Sequence, residues 1–386
     1  MSKQKSCYIV YTLGGASVLK CQDNFMIRTP SLPLEYLKRF ENQKKDIYEF
    51  IIEDEYLYNF FKSALLVSSK TTYYSFINKP TDEKAYRDLK ESLMKYFIRS
   101  IVRATPYGYM AGVSLGKFGK QTNLIRDGHV IDLQVDNAWL CAVIYNLESK
   151  KEILNNLEFK FNTICYVSKK RLVNPCFTNH GIANENNEKV KETSVRYTDL
   201  IRTIQELATN FISYKKLKDN IHCQYPEATE EMIDKSLHIL IENEFILSVL
   251  RMPVYCEEYL EYVITTLKGL VPNCSELRCL EDIQKLITEY KKNKNIDCLE
   301  FLYKKMSHLH RSKNYIILNL GNIFSSNILS EKIKIKIEKV MNIFYKFPLQ
   351  MDSTRKFKEK FIEEYGANVR VPLLEIIEKK VLMEQV

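Results

Sequence analysis

Glycine and proline are scarce in this sequence of 386 residues, which has only 11 glycines and 10 prolines. That scarcity excludes collagen-like, low-complexity and glycine-repeat proteins. No run of eighteen apolar residues occurs either, so the sequence predicts no membrane-spanning helix and a soluble chain. Hydrophobic residues make up 45% and aromatic residues 12% of the chain, which is ample for buried cores in two to three domains.

Metal-site and export signals are also missing. Ten cysteines stand at irregular intervals, and the closest pair, Cys274 and Cys279, has no second pair or histidine at ligand spacing. His308 and His310 are two residues apart in a predicted helix and face away from each other, so we expect no metal and reduced thiols. Residues 7–19 follow two lysines as in a signal peptide, but tyrosines and glycines interrupt them and no cleavage site follows.

The charge balance is moderately basic. Lys and Arg number 57 and Asp and Glu number 48, which leaves a net charge of +9. Short clusters such as Lys169–Arg171 are spread along the chain. This charge favours encounter with a polyanion such as tRNA, but it is too diffuse to identify one.

Periodicity predicts an α+β protein of mixed helices and small sheets, with regions at 1–155, 156–255 and 256–386. Strand-like residues 7–30 precede helical patterns at 34–61 and 82–103. The middle region combines strand-like residues with three helical segments at 197–211, 214–222 and 227–243 and a closing strand at 245–250, which predicts a winged-helix-like module. The third region is largely helical around a strand candidate at 315–320.

The segment after Ser330 allows two interpretations. Ser330 can cap a helix whose apolar face is Ile333, Ile337, Val340 and Phe344. Residues 333–337 also alternate between isoleucine and lysine as a strand would. Length and the serine cap favour the helix.

The stretch from 99 to 108 carries the strongest chemical signal. A helical pattern ends at R-S-I-V-R-A-T-P-Y-G, where Arg99 and Arg103 share a helix face and Thr105 follows at the turn. Two like charges side by side repel each other, so their pairing beside a hydroxyl indicates an anionic or carbonyl oxygen as ligand. A solvated helix face with a Pro-Gly stop explains the same residues, and the pattern alone does not decide.

R-x-x-x-R-x-T-P-[FY]-G followed by A-G-V-S-L-G, residues 99–116, resembles the signature of the N-terminal glutamylation domain of lantibiotic dehydratases. F-M-I-R-T-P at 25–30 and V-P-L-L-E at 371–375 also resemble that family. Its members charge Ser and Thr side chains of a precursor peptide with glutamate taken from glutamyl-tRNA. The resemblance implies this activity, with glutamyl-tRNA as co-substrate and no cofactor or metal.

The resemblance implies catalytic roles for Arg99, Arg103 and Thr105. The two arginines would face the ester carbonyl or the glutamate carboxylate, because bidentate donors suit a planar oxygen pair. Thr105 would add a hydroxyl donor or position the tRNA end. Positioning and oxyanion stabilisation can supply most of the catalysis when one ester is exchanged for another.

Arg28 and Asp136 are the substrate-binding residues that the resemblance implies, each holding one charge of the amino acid. From the residues alone, Arg28 can be an ordinary strand-end charge, and the motif at 99–108 favours the functional role. Asp136, in D-N-A-W-L, is equally a cap for a helix that begins near Ala138.

Two departures from the family stand out. Asn319 occupies a strand position where the family usually has aspartate, which keeps the shape and removes the charge. The sequence also ends shortly after Leu374–Glu375, whereas the family's glutamylation domain continues with a further active-site arginine and a separate elimination domain. We therefore expect a split or truncated dehydratase of lanthipeptide or thiopeptide-type biosynthesis, with the domain at 256–386 incomplete.

The implied partners are the precursor peptide, held through its leader at the winged-helix-like module, glutamyl-tRNA, and a separate elimination or C-terminal subunit; a homodimer is left open. DNA is disfavoured, because residues 227–234 at the start of the third module helix carry four acids. An inactive leader-binding scaffold and a transferase for another amino acid remain alternatives. The expected location is the cytoplasm, with or without a membrane-bound maturation complex.

Overall fold

The computed structural model of the protein describes residues 19–182, 191–253, 256–345, 355–367 and 369–378. Helices and small sheets alternate through these ranges, which confirms the predicted α+β class. The described residues divide into two compact units: those within 1–25, 115–125 and 326–386 belong to the first, and those within 26–114 and 126–325 to the second. The predicted boundaries near 155 and 255 fall within the second unit and stay a prediction.

The strands, in chain order, are β1 (Asn24–Pro30), β2 (Ala111–Gly119), β3 (Asn123–Val135), β4 (Glu158–Phe161), β5 (Tyr166–Ser168), β6 (Arg171–Phe177), β7 (Lys191–Arg196), β8 (Ile212–Ser213), β9 (Ile246–Ser248) and β10 (Ile316–Ser330). The helices are α1 (Glu35–Glu41), α2 (Ile47–Glu53), α3 (Glu55–Ser68), α4 (Lys70–Ile77), α5 (Glu83–Val102), α6 (Asn137–Glu148), α7 (Lys151–Leu154), α8 (Asp199–Leu207), α9 (Tyr214–Gln224), α10 (Glu230–Glu242), α11 (Tyr259–Leu270), α12 (Ser275–Asn293), α13 (Ile296–Leu309), α14 (Glu331–Tyr345), α15 (Arg355–Tyr365) and α16 (Leu373–Glu378).

The helical pattern predicted at 34–61 is divided among three helices, α1 to α3. Asp46 and Asp54 are the N-caps of α2 and α3. Each carboxylate accepts a hydrogen bond from the backbone N–H three residues later. The pattern at 82–103 forms the single helix α5, which buries Leu89, Leu93 and Phe97. Of the strand predicted at 7–30, residues 24–30 form β1, the prediction is wrong for residues 19–23, which are not in a strand, and residues 7–18 lie outside the described residues.

Three sheets organise the chain. The first has the order β1-β2-β10-β3, the second β8-β4-β9 and the third β5-β6-β7. In the second sheet, Phe159 of β4 is the antiparallel partner of Ile212 on one side and Ser248 on the other. The third sheet is also antiparallel, and β5 and β7 are its outer strands.

The middle region follows the predicted order of strands, three helices and a closing strand. Helices α8, α9 and α10 lie at the segments predicted at 197–211, 214–222 and 227–243. Strand β9 lies within the strand predicted at 245–250. Their inward faces bury Ile204, Leu217 and Leu237. The winged-helix assignment of this region stays a prediction.

The segment after Ser330 is a helix, α14, so the strand alternative for residues 333–337 is wrong. The Ser330 hydroxyl accepts a hydrogen bond from Lys332 N at 3.3 Å. The strand candidate at 315–320 is real but longer than predicted, because β10 runs on to residue 330. No helix that the structure describes has the length and apolarity needed to cross a bilayer.

Candidate functional site

Arg99 and Arg103 line one cleft of about 770 Å³, together with Thr72, Tyr96 and Tyr107. We call this the arginine cleft. Arg99 lies in the last turn of α5, and Arg103 is the residue that ends the helix, where Arg103 N donates to Arg99 O at 3.1 Å. The Arg99 guanidinium lies 4.5 Å from the centroid of the Tyr107 ring. The structure therefore brings together the two arginines that the motif singled out.

The positive charge of the arginine cleft is not neutralised within the described part of the chain. Neither Arg99 nor Arg103 has a carboxylate partner there, although Lys95 at the rim pairs with Glu91 at 3.9 Å. The Nε atom of Arg99 is buried and has no hydrogen-bond partner among the described residues. A buried donor without an acceptor costs free energy. The two guanidinium groups without carboxylate partners would stabilise an oxygen-bearing anion that enters this cleft.

Thr105 is exposed in the loop that follows Arg103, and it is not among the residues that line the cleft. The Tyr107 hydroxyl donates to Ser68 O at 3.5 Å, which connects this loop to the end of α3. Gly108 has a φ of +52°, a left-handed conformation that favours glycine. The T-P-Y-G part of the motif therefore shapes the turn out of α5.

Arg28 lies on β1 and is exposed. Its neighbour Thr29 faces the other side of the sheet, where its hydroxyl accepts a hydrogen bond from Asn322 Nδ2 at 2.7 Å. Because successive strand residues point to opposite faces, Arg28 and Asn319 share the sheet face opposite to Thr29 and Asn322. Asn319 is exposed as well. Neither Arg28 nor Asn319 lines the arginine cleft.

Gly112 of the A-G-V-S-L-G segment has a packing role. A Cβ atom at this position would lie 2.4 Å from Asn322 Oδ1, which no real contact tolerates. Replacing Gly112 by alanine is therefore expected to lower the free energy of unfolding by about 1–3 kcal/mol through overpacking. Urea denaturation measures this change. Gly128→Ala is the matched control, because a Cβ there meets no atom within 4 Å; equal midpoints for the two variants would contradict the packing role.

Asp136 is the N-cap of α6. Its Oδ1 atom accepts hydrogen bonds from Ala138 N at 2.9 Å and Trp139 N at 3.1 Å. Its own backbone N–H donates to Tyr315 O at 2.8 Å, which fixes the start of α6 beside β10. The carboxylate is half-buried, and its part in substrate binding stays a prediction.

Lys70 is a charged residue that the sequence pattern did not single out. Its ammonium nitrogen lies 3.8 Å from the centroid of the Tyr303 ring and 4.1 Å from that of Tyr315. No carboxylate pairs with it among the described residues. Tyr315 also receives the hydrogen bond from Asp136, and Thr72, two residues after Lys70, lines the arginine cleft. Lys70 therefore contacts the residue that fixes the start of α6 and precedes a residue of the arginine cleft by two positions in the sequence.

Lys70 is expected to lose its proton at a lower pH than an ordinary exposed lysine does. Burial lowers its pKa to about 8, so the ammonium is present below pH 8 and is lost above it. An NMR titration of carbon-13-methylated lysines measures this midpoint, and Lys70→Arg removes the signal and so assigns it. The prediction is wrong if every lysine signal titrates near pH 10.

The histidine and cysteine side chains of the described residues are spread through the fold. No group of three or more His, Cys, Asp or Glu side chains there could hold a metal ion. The cysteines in those ranges are all free thiols. His310 contacts a side-chain amide, Asn146 Nδ2 at 3.4 Å.

A family model described as "Lantibiotic dehydratase, N terminus" matches residues 59–381. The chain belongs to this family. The resemblance inferred from the motif at 99–116 is thereby confirmed. This lantibiotic dehydratase homologue is 28% identical to the epidermin biosynthesis protein EpiB of Staphylococcus epidermidis, over 92% of the chain and 36% of EpiB. It is 25% identical to the subtilin biosynthesis protein SpaB of Bacillus subtilis, over 92% of the chain and 34% of SpaB.

The nisin biosynthesis protein NisB of Lactococcus lactis subsp. lactis is 24% identical, over 77% of the chain and 30% of NisB. The lantibiotic dehydratase homologue therefore spans about a third of the length of the curated relatives it matches.

Solved structures share the fold. The tRNA-dependent lantibiotic dehydratase MibB from Microbispora sp. 107891 superposes with a TM-score of 0.74 at 20% identity, over 93% of this chain and 35% of the MibB chain. The glutamylation domain TbtB from thiomuracin biosynthesis gives 0.54 at 14% identity, over 86% of this chain and 41% of that one. The lantibiotic dehydratase homologue therefore has the fold of a dehydratase N-terminal region.

Proposed function

We propose that the lantibiotic dehydratase homologue transfers glutamate from glutamyl-tRNA to Ser or Thr side chains of a ribosomally made precursor peptide. The observation that carries this proposal is the arginine cleft, where two guanidinium groups have no carboxylate partner in the described chain and the buried Arg99 Nε has no acceptor. The names of relatives support it: MibB is a tRNA-dependent lantibiotic dehydratase, TbtB is a glutamylation domain, and EpiB and NisB are biosynthesis proteins of epidermin and nisin.

The proposed chemistry is an ester exchange. The Ser or Thr oxygen of the peptide bonds to the glutamyl carbonyl carbon, the ribose oxygen of the tRNA leaves, and the proton of the attacking hydroxyl passes to that ribose oxygen. Arg103 and Arg99 are assigned to the carbonyl oxygen, where negative charge develops. Thr105 supplies a hydroxyl donor from the exposed loop, and Arg28 and Asp136 hold the carboxylate and ammonium of the glutamate.

Incubation of the chain with glutamyl-tRNA and its precursor peptide tests the proposal by mass spectrometry. A glutamyl adduct on Ser or Thr is the expected result. The assay is run with and without a polypeptide that corresponds to the remaining two thirds of the relatives, which includes the proposed C-terminal or elimination subunit. Adducts absent under both conditions would overturn the transferase. Adducts formed with another aminoacyl-tRNA instead would assign a different donor.

A leader-binding scaffold is the second candidate, and an exposed strand edge favours it. β5 is an outer strand of its sheet, and all three of its residues are exposed, including the apolar Tyr166 and Val167. Such an edge can accept an extended peptide as an added strand through backbone hydrogen bonds. Tight peptide binding that Arg103→Ala leaves unchanged, without any glutamyl transfer, would identify the scaffold.

A further inference from the structure

A second groove, of about 930 Å³, lies between the C-terminal half of α6, the first turns of α12 and the second half of α13. Apolar side chains of α6 form part of its wall, among them Val143 and Leu147. Its other lining residues include four cationic side chains, Lys150, Arg278, Lys304 and Lys305, together with His308 and Phe301. We call it the cationic groove.

Two carboxylates in the cationic groove are already neutralised. Glu276 forms an ion pair with Lys150, and Asp282 accepts from Lys305 Nζ at 3.1 Å. Arg278 and Lys304 are exposed and have no ion-pair partner in the described part of the chain. The groove therefore presents net positive charge that an anionic ligand can meet.

Phe301 gives the cationic groove a flat apolar surface. Its side chain is 49% exposed, although phenylalanine is usually buried. Lys305 Nζ lies 5.6 Å from the centroid of the ring. An exposed aromatic ring among cations is the arrangement with which proteins stack a nucleic-acid base and hold the neighbouring phosphates.

Positive charge continues from the cationic groove toward Asp136. Arg311 and Lys313 follow α13, and both are exposed without an ion-pair partner among the described residues. The hydrogen bond from Trp139 Nε1 to His310 O, 3.1 Å long, holds this segment against the first turn of α6. A helix of 12 residues spans about 18 Å, so the groove lies roughly one helix length from Asp136.

We propose that the cationic groove binds nucleotides of the glutamyl-tRNA, with a base stacked on Phe301 and phosphates on Arg278 and Lys304. This assignment rests on the proposed function, which makes glutamyl-tRNA the donor, and adds a surface for the RNA outside the arginine cleft. Unpaired cations beside an exposed aromatic ring favour RNA over a peptide, because a peptide would have to supply acidic side chains at both cations.

Filter binding of glutamyl-tRNA over a range of salt concentrations tests the groove. Arg278→Glu/Lys304→Glu is expected to raise the Kd at least tenfold at low salt and to reduce the salt slope by about 1.4, because two single-strand phosphate contacts are lost. Lys44→Glu/Lys292→Glu is the control: it changes the net charge equally, and both lysines are exposed and unpaired among the described residues. Its Kd is expected to stay within about twofold, as distant surface charges are screened.

Phe301 is tested separately. Phe301→Ala is expected to weaken tRNA binding by about 5- to 150-fold, and Phe301→Trp to restore it, because any aromatic ring can stack a base. Thermal unfolding of each variant checks that the fold is kept, which we expect because Phe301 is exposed.

The outcomes separate this inference from the proposed function. If the wild-type chain transfers glutamate and the groove variant binds glutamyl-tRNA as tightly as the control variant, the groove assignment is overturned and the transferase stands. If the groove variant loses affinity for the precursor peptide instead, the groove is a peptide site. A wild-type chain that neither transfers glutamate nor binds glutamyl-tRNA overturns both.

Discussion

Replacing Arg103 by lysine is expected to lower the rate of glutamyl transfer by about 10²–10³-fold, the usual effect of removing one donor at a developing oxyanion. Lysine keeps the charge but lacks the planar pair of N–H donors that fits a carbonyl or carboxylate oxygen pair. The stability should change by less than about 0.5 kcal/mol, because the Arg103 side chain is exposed and makes no hydrogen bond within the described chain. Single-turnover kinetics with glutamyl-tRNA measure the rate.

Arg87→Lys is the matched control for Arg103→Lys. Arg87 is an exposed arginine on the same helix, α5, and does not line the arginine cleft. The control variant should transfer glutamate at the wild-type rate. Equal rates for Arg103→Lys and Arg87→Lys would remove Arg103 from the catalytic machinery and favour the scaffold.

Arg251→Met is expected to lower the free energy of unfolding by about 3–5 kcal/mol, because it leaves the buried carboxylate of Glu148 without its positively charged partner. Glu148 is 2% exposed, and its Oε2 accepts from Arg251 Nη2 at 3.0 Å. Burial alone would lower the pKa of Arg251, but the charges of Glu148 and Glu244 more than offset it, so the pKa lies above its ordinary value. Urea denaturation of the two proteins measures the loss.

Two further variants make the ion-pair prediction specific. Glu148→Gln/Arg251→Met should recover part of the lost stability, since the charge of Glu148 is removed together with its partner and only the buried Glu244, 3.9 Å from Arg251, still loses a cation. Arg39→Met is the surface control: Arg39 pairs with Asp54 at 3.1 Å but is mostly exposed, so the loss should be below about 1 kcal/mol. A loss of that size for Arg251→Met as well would show that the buried pair contributes little.

The helices whose signals are local were predictable from the sequence. The apolar stripe of Leu89, Leu93 and Phe97 predicted α5, and Ser330 predicted the start of α14. The division of residues 34–61 was missed although Asp46 and Asp54 signal it, since aspartate is a preferred N-cap. The length of β10 was missed for another reason: its residues from Gly321 to Asn327 are largely small or polar, and the neighbouring strands of its sheet extend it.

The candidate site was predictable only where its residues lie close in sequence. Arg99 and Arg103 are four residues apart, and the structure places both in one cleft. The shared helix face is wrong, because α5 ends at Val102 and the backbone of Arg103 is already extended. Lys70 carried no signal, because the rings that surround it belong to Tyr303 and Tyr315, more than two hundred residues away. The cationic groove could not be predicted from the sequence for the same reason: α6, α12 and α13 meet only in the folded chain.

The ion pair between Glu148 and Arg251 has a consequence for engineering chimaeras of these proteins. Glu148 ends α6, before the predicted boundary at 155, while Arg251 follows β9 at the far end of the middle region. Suppose that the middle region is replaced, from residue 156 onward, by that of a relative that has no cation at the position of Arg251. The carboxylate of Glu148 would then have no positively charged partner. A transplanted middle region therefore has to include the last turn of α6, which carries Glu148.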